Sequence, residues 1–378
     1  MIRIDEEWLH APNARRVCAL LTDAGHEAWF VGGCVRNALM GLSATDYDIS
    51  TDARPDVVQG LAEAAGIRAV PTGIEHGTVT LVLDHVPFEV TTFRRDVATD
   101  GRRAVVAFAD SLAEDAMRRD FTMNALYAAP DGSISDPLGG VADLRARRVR
   151  FIEDPDRRIQ EDYLRILRFF RFHAWYGDPA GGIDADGLAA CAANLDGLDQ
   201  LPAERVGQEM LKLLSAKDPA PAAASMEASG ALWKILPGSS AEGLALLVAL
   251  EERFGIDPDP IRRLAVLGAR DLDRLRLSRG QGKRLDLLHT APLSESELGY
   301  RLGLANATDK VLVDAALSGY DLDGMALADV RFGAEQVFPL RAEDLPHLRG
   351  KVLGDKLRSE EARWIASGFK LSRADLLS

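Results

Sequence analysis

Two periods of apolar and polar residues run along this chain, and the change from one to the other divides it. Over the first 140 residues, short β-rich runs at 28–31, 47–50, 77–84 and 86–93 predict strands. The last two flank a turn at Asp84-His85 that suits a hairpin. Helical patterns lie between the runs at 12–24, 35–40 and 55–65. After Leu144 the strand signals fade. Runs at 159–175, 204–214, 220–228, 241–254 and 311–318 carry apolar residues at spacings of three and four, which predicts helices. The polar, glycine-rich stretch 177–187 reads as a connecting loop. The pattern predicts an α+β protein, with mixed α/β structure first and an all-helical remainder.

Composition narrows the class. The chain has 378 residues, 47% hydrophobic and 27% charged, which is ordinary globular usage with room for more than one folding unit. No segment has the apolar length of a membrane span. The first residues mix charges where a secretion signal needs an apolar run, so a cytoplasmic protein is expected. Cys18, Cys34 and Cys191 match no metal-ligand spacing and are too few for a disulfide framework; reduced packing residues are expected.

The formal charge of −13 argues against a surface that adheres indiscriminately to nucleic acid. Its distribution qualifies that. Residues 140–172 hold nine arginines against six acids, and residues 262–286 are also basic. Such stripes suit a selective nucleic-acid binder, although solvated helix faces give the same count.

Candidate chemistry starts at residues 28–52. An apolar run, the Gly32-Gly33 turn and a short helix are followed by a second turn and a strand. Adjacent glycines let backbone amides approach a polyphosphate, and Arg36 can add a charged fork. The spacing is not the dinucleotide-binding fingerprint, because no third glycine follows at the required offset. Thirteen residues past Gly33 stand Asp46 and Asp48. In a strand, alternate side chains share a face, so both carboxylates point one way and require a counterion. Mg2+, which prefers oxygen ligands and retains sites for substrate phosphates, satisfies such a pair. An isolated Asp-x-Asp is more often two turn residues; here it follows a phosphate-type turn. The strand at 86–93 places Glu89 beside Thr91 and Phe93, and an acid on an apolar strand is costly to bury unpaired. Glu89 is therefore the third candidate carboxylate.

In the segment 161–171, Glu161, Asp162, Arg165, Arg168 and Arg171 recur at helical spacing, set among Leu164, Ile166, Leu167, Phe169, Phe170 and Phe172. That predicts one helix with a charged stripe, which usually marks a solvated face, although the apolar residues around it also suit packing against another element. A carboxylate beside a guanidinium offers an acceptor and donors, a combination that can pair with the edge of a base. An internal ion-pair network would use the same residues.

These segments together resemble a known family. In order, VGGCVRNALMG with DYDIST, TGIEHGTVTLVL, FEVTTFRRD, RRDFTMNALY, ISDPLGGVADL, EDYLRILRFFRF and ERVGQEMLKLL follow the motifs of the bacterial-type (class II) tRNA nucleotidyltransferases and poly(A) polymerases. The later WIASGFKLSRADLL and FPLRAEDL are similar to the end of CCA-adding enzymes. The resemblance implies a polymerase-β-like head with a mixed or antiparallel sheet at 1–144. An all-α neck at 145–200, body at 201–260 and tRNA-binding tail at 261–378 would follow. It implies that Asp46 and Asp48 hold the metal and that Gly33, Arg36 and Arg119 touch the nucleotide phosphates; Glu89, from the strand reading, is expected to support the metal on the primer side. It also implies that Asp162 and Arg165, with Arg168 and Arg171, select the base. The chain departs from the family at Asn37, where an aspartate is usual.

The implied activity is template-independent addition or repair of the 3′-terminal CCA of tRNA from CTP and ATP, with Mg2+ and release of pyrophosphate. The alternatives are a poly(A) polymerase, a partial CC- or A-adding enzyme, or a non-catalytic RNA-binding relative. TGIEHGTVTLVL lacks the basic element of bacterial poly(A) polymerases, and residues 96–115 resemble the flexible loop of complete CCA-adding enzymes. The absence of a His-Asp dipeptide argues against an appended metal phosphohydrolase domain. The stripe at 262–284 is the expected phosphate track for tRNA, and oligomeric state is left open.

Overall fold

A computed structural model describes residues 2–44, 46–74, 77–99, 104–268 and 272–378. Glu75 and His76 of the TGIEHG element, and residues 100–103 of the expected flexible loop, lie outside the described residues. The chain forms two compact units, Met1–Pro237 and Gly238–Ser378. Of the expected segments, head and neck fall in the first unit and the tail in the second, while residues 201–260 contribute to both.

In the first unit, strands β1 (Trp29–Val31), β2 (Asp48–Thr51), β3 (Arg68–Gly73), β4 (Thr78–Leu83), β5 (Val86–Thr92), β8 (Tyr127–Ala128) and β9 (Ile134–Ser135) form one sheet. Their order is β3-β4-β5-β2-β1-β8-β9, and β6 (Arg94–Thr99) pairs separately with β7 (Ala104–Phe108). Only the β2–β5 pairing is parallel, which makes the sheet mixed. The β4–β5 hairpin turns at Asp84 and His85, both at positive φ (47° and 68°), the twist that suits a two-residue connection. Along β5, Phe88, Val90 and Thr92 are buried while Glu89 is exposed. This corrects the sequence reading of Glu89: strand alternation turns it to the open face, so the acid is never buried among apolar neighbours. Phe93 lies past the strand end and is fully buried.

The expected helix 159–175 is broken in two, Pro155–Glu161 and Leu164–Tyr176. Asp154 caps the first by accepting from the backbone N–H groups of Asp156 and Arg157, and Pro155 at the first helical position needs no donor. At the break, Asp162 adopts extended backbone and its Oδ1 accepts from the Leu164 N–H at 3.1 Å. An aspartate that satisfies the free amide of the next helix competes with helix continuation. The second helix, here the neck helix, buries Phe169 and Phe172 against Phe121 and Phe151 of the preceding segment, with ring centroids 4.9–6.3 Å apart. That aromatic cluster joins head and neck.

The second unit is helical. Leu244–Phe254, Pro260–Leu267, Arg279–Leu288 and Glu295–Ser318 surround a buried ion cluster in which Glu251 holds Arg262 and Arg263, and Asp309 holds Arg262 and Arg284. Arg262 and Arg263 are 3% and 1% exposed. The stripe expected at 262–284 as a phosphate track therefore has its upstream end inside the protein, where acids from neighbouring helices neutralise it. Leu340, Trp364 and Leu376 form a core with Tyr300, Phe338 and Phe369, bringing the two tail motifs together. The three cysteines are buried and free, and burial pushes the Cys18 and Cys34 thiols up to about 12. No helix among the described residues is long and apolar enough to cross a membrane.

Candidate active site

The open face of the head sheet is bounded by the turn after β1. Gly32 has φ 72° and ψ −119°, a conformation that excludes a side chain, and a Cβ there would stand 3.6 Å from Arg119 Nη1. Gly33 begins the helix Gly33–Leu39. The guanidinium of Arg119 thus lies against the glycine turn. It donates to Asp115 Oδ2 (3.0 Å), to the Tyr127 hydroxyl (3.1 Å) and to Ser50 Oγ of β2 (3.3 Å). Asp115 is fully buried. Burial alone would raise its carboxyl, but Arg119 and Arg118 hold it well below the usual carboxylate range. Asp115 fixes Arg119, and no sequence motif singled it out.

Asp48 opens β2 and stands in register with Glu89 on the parallel strand β5. Burial, then the charge of Glu89, then that of Asp46 push its carboxyl up to about 6, against the opposing pull of Arg119. Asp46 lies just before the strand, exposed. The two aspartates and Glu89 therefore concentrate negative charge where β2 begins beside β5, in the middle of the sheet. Among the described residues, no group of three or more His, Cys, Asp or Glu is already arranged as a metal cage. The donors are all carboxylate oxygens, the type that suits a hard divalent cation, and their mutual repulsion at Asp48 is relieved by one.

Arg36 also lies beside the turn, with its Nη2 3.9 Å from where a Cβ on Gly33 would stand. It is 6% exposed, donates to Asn124 Oδ1 (2.6 Å), Asn37 Oδ1 (3.0 Å) and the Tyr176 hydroxyl (2.7 Å), and lies 4.0 Å from the Tyr176 ring centroid. Its Nε is buried without a partner among the described residues. Each hydrogen-bonded partner is neutral, and burial lowers its affinity for a proton. Asn37 also donates from Nδ2 to the Ser43 carbonyl at 2.9 Å, so its amide ties Arg36 to the loop before Asp46. Asn124 continues the network by donating to Asp120 Oδ1 at 2.8 Å, and Arg168 of the neck helix donates to Asp120 Oδ2 at 2.7 Å. Burial would raise the Asp120 carboxyl; Arg168 and Asn124 hold it well below the usual range.

The neck stripe is packed, not solvated. Arg171 pairs with the buried Glu209 of helix Ala203–Leu214. Arg165 donates to Glu161 (2.6 Å) and to the carbonyls of Arg158 (2.8 Å) and Arg118 (3.0 Å). Asp162 is paired with Arg205 (2.8 Å) rather than with Arg165. The helix break thus separates the two neck residues that the sequence spacing had placed on one stripe. Arg205 and Glu209 sit four apart on one helix and face the neck; that spacing, within ERVGQE, was the available signal. Asn124 lies within the RRDFTMNALY motif without having been singled out, and Tyr176 gave no signal.

Comparisons with known proteins bear on this arrangement. Residues 28–150 match the model of the poly A polymerase head domain, and residues 182–242 match that of a probable RNA and SrmB-binding site of polymerase A. The mitochondrial CCA tRNA nucleotidyltransferase 1 of Mus musculus is 31% identical over 98% of this chain and 90% of that protein. A CCA-adding enzyme of Levilactobacillus brevis is 42% identical over 59% of this chain and 55% of its own length. Among solved structures, the Bacillus stearothermophilus CCA-adding enzyme in complex with CTP superposes with a TM-score of 0.68 at 27% identity, covering 94% of this chain and 92% of that one. The Thermotoga maritima CCA-adding enzyme complexed with tRNA-CCA shares the fold, with a TM-score of 0.73 at 19% identity over 100% and 98% of the two chains.

Proposed function

This chain belongs to the family of CCA tRNA nucleotidyltransferases and poly(A) polymerases, and from that premise we propose that it adds or repairs the 3′-terminal CCA of tRNA from CTP and ATP. The observation that carries the reading is the pairing of Asp48 with Glu89 in register, with the Asp48 carboxyl raised to about 6, in front of a glycine turn lined by Arg119.

In this reading Asp46 and Asp48 hold Mg2+ and Glu89 stands on the side of the RNA end. A divalent cation held there would supply Lewis-acid chemistry, offsetting phosphate charge and making the terminal ribose 3′-hydroxyl a better nucleophile. The protein's own residues do the rest. Gly33 leaves room for the triphosphate, Arg36 and Arg119 offset its charge, and Asp115 keeps Arg119 aimed. The 3′-hydroxyl gives up its proton to solvent as its oxygen attacks the α-phosphorus in line; a P–O bond forms, and the bond from the α-phosphorus to the oxygen bridging the β-phosphate breaks to release pyrophosphate. Asp162 and Arg165 select the base, with Arg168 and Arg171 fixing the neck against Asp120 and Glu209. Selection requires Asp162 to exchange Arg205 for the base edge, because that guanidinium occupies its acceptors here. The division into head 1–144, neck 145–200, body 201–260 and tail 261–378 and a cytoplasmic site of action belong to the same proposal, although the murine relative is described as mitochondrial.

The test is incubation of tRNA lacking its last three nucleotides with CTP, ATP and Mg2+, followed by sequencing of the 3′ ends. Full CCA ends are expected. Ends that stop at CC, extension by A of a parallel tRNA ending in CC but none of the shorter one, or long A tails would replace the proposal with a partial or poly(A)-adding activity.

A further inference from the structure

The basic stripe at 140–172 is only partly absorbed by the site. Six of its nine arginines are ion-paired: Arg150 with Asp143; Arg157, Arg158 and Arg165 with Glu161; Arg168 with Asp120; and Arg171 with Glu209. The other three, Arg145, Arg147 and Arg148, are exposed, fall on a single turn, and have no carboxylate partner among the described residues. On a protein of formal charge −13, three adjacent unneutralised guanidiniums are a local exception.

The backbone of that turn is unusual in a way that isolates the side chains. Helix Gly140–Arg145 ends with the Arg148 N–H donating back to the Asp143 carbonyl at 2.8 Å, the wrap-around bond of a helix stop that normally uses glycine. Here the residue in the left-handed conformation is Arg147, at φ 50°. A side chain with a Cβ is disfavoured there, so Arg147 stands against the local conformational preference. The turn is also held at both ends. The Asp178 N–H donates to the Arg147 carbonyl at 3.0 Å at the end of the neck helix, and the Thr122 N–H donates to the Arg150 carbonyl at 3.0 Å, two residues from Asp120. The Asp178 carboxylate is turned to the Ala180 N–H, not to Arg147.

We propose that the turn at residues 145–148 is a contact for RNA phosphates, through which the first unit grips the tRNA at the start of the neck. The proposal rests on the tRNA reading given above and adds an RNA-binding element outside its site residues. Phosphate recognition needs exposed, unpaired guanidiniums held in place, which this turn supplies and the buried arginines at 262–263 do not.

The test uses Arg147→Gly alone and Arg145→Ala/Arg147→Gly/Arg148→Ala together, with wild-type protein as reference. Glycine relieves the backbone, so Arg147→Gly should melt at or above the wild-type temperature while binding CCA-less tRNA several-fold more weakly. The triple variant should weaken binding by about tenfold or more at low salt and make the log–log salt dependence shallower by about two to three. Incorporation of CTP and ATP on a dinucleotide primer, which has too few phosphates to reach the turn, should be unchanged in both. Unaltered tRNA affinity and salt slope in the triple variant would overturn the proposal, as would a KM for nucleotide that changes equally with the short primer. If wild-type protein itself neither binds nor extends tRNA, the tRNA reading fails first, and this inference with it.

Discussion

Asp48 and Glu89 are register partners on the two parallel strands of an otherwise antiparallel sheet, so two acids from segments forty residues apart in the chain are held side by side. Parallel pairing needs a crossover, here the helix Pro55–Ala64 with β3 and β4. The hairpin that returns the chain as β5 also sets which face Glu89 occupies.

That relationship makes proton and cation competitors for Asp48. With its carboxyl at about 6, the metal concentration for half-maximal incorporation should rise as the pH falls from 7 through 6, and Glu89→Gln should move that dependence to lower pH. The folded-state value lies above the ordinary 3.8, so the folded protein holds a proton between about pH 4 and 6 that the unfolded chain has released. Stability therefore falls as pH rises through that window. Metal-free Asp48→Asn should melt roughly 2–4 °C above wild type at pH 7.5, with the gap closing near pH 4, while its incorporation is abolished. A variant that turns over normally would remove Asp48 from the chemistry.

Asp162→Ala and Arg165→Ala should lose discrimination before they lose transfer. A good bidentate base contact is worth about 1–3 kcal/mol, so misincorporation of UTP or GTP should rise roughly tenfold relative to CTP and ATP. The assay compares all four triphosphates on tRNA ending before CCA, in C and in CC. Equal slowing with every nucleotide would instead assign the pair to the ion contacts seen with Arg205 and Glu161.

Arg168→Ala should leave Asp120 buried without its cation and destabilise the first unit by roughly 3 kcal/mol, read from denaturant midpoints. The Asp120 carboxyl is depressed, so the stability it contributes is present above the ordinary carboxylate range and is lost only as pH falls toward its folded value. The difference between wild type and variant should accordingly shrink in acid. A constant difference from pH 7 to 3 would mean that lost packing on Phe172, not lost charge, is responsible.

Asn37→Ala should release Arg36 from the loop before Asp46 and raise the KM for nucleotide several-fold with a smaller change in kcat. Asn37→Asp retains an acceptor for Arg36 but cannot donate to the Ser43 carbonyl, so it should fall between wild type and alanine. Identical kinetics for all three proteins would show that this tie does not position Arg36.

Local pattern and motif order determined much of this protein. The strands at 29–31, 48–51, 78–83 and 86–92 and most helices follow from periods of two and of three to four, because each buries one face and the chain must repeat accordingly. The ordered motifs identified the family, and the Asp-x-Asp after a glycine turn located the acids. Strands β3, β8 and β9 were not legible, since β3 is largely exposed and the other two are two residues long; neither offers a run in which alternation can register. Pairing decided the rest. That Glu89 is exposed, that Asp162 meets Arg205 instead of Arg165, and that Arg262 and Arg263 are neutralised inside the second unit all depend on residues distant in sequence. A charge pattern along the chain states which side chains are ionic, but burial and the partner that satisfies each charge are set by what packs against it, and only the tertiary structure brings that partner near.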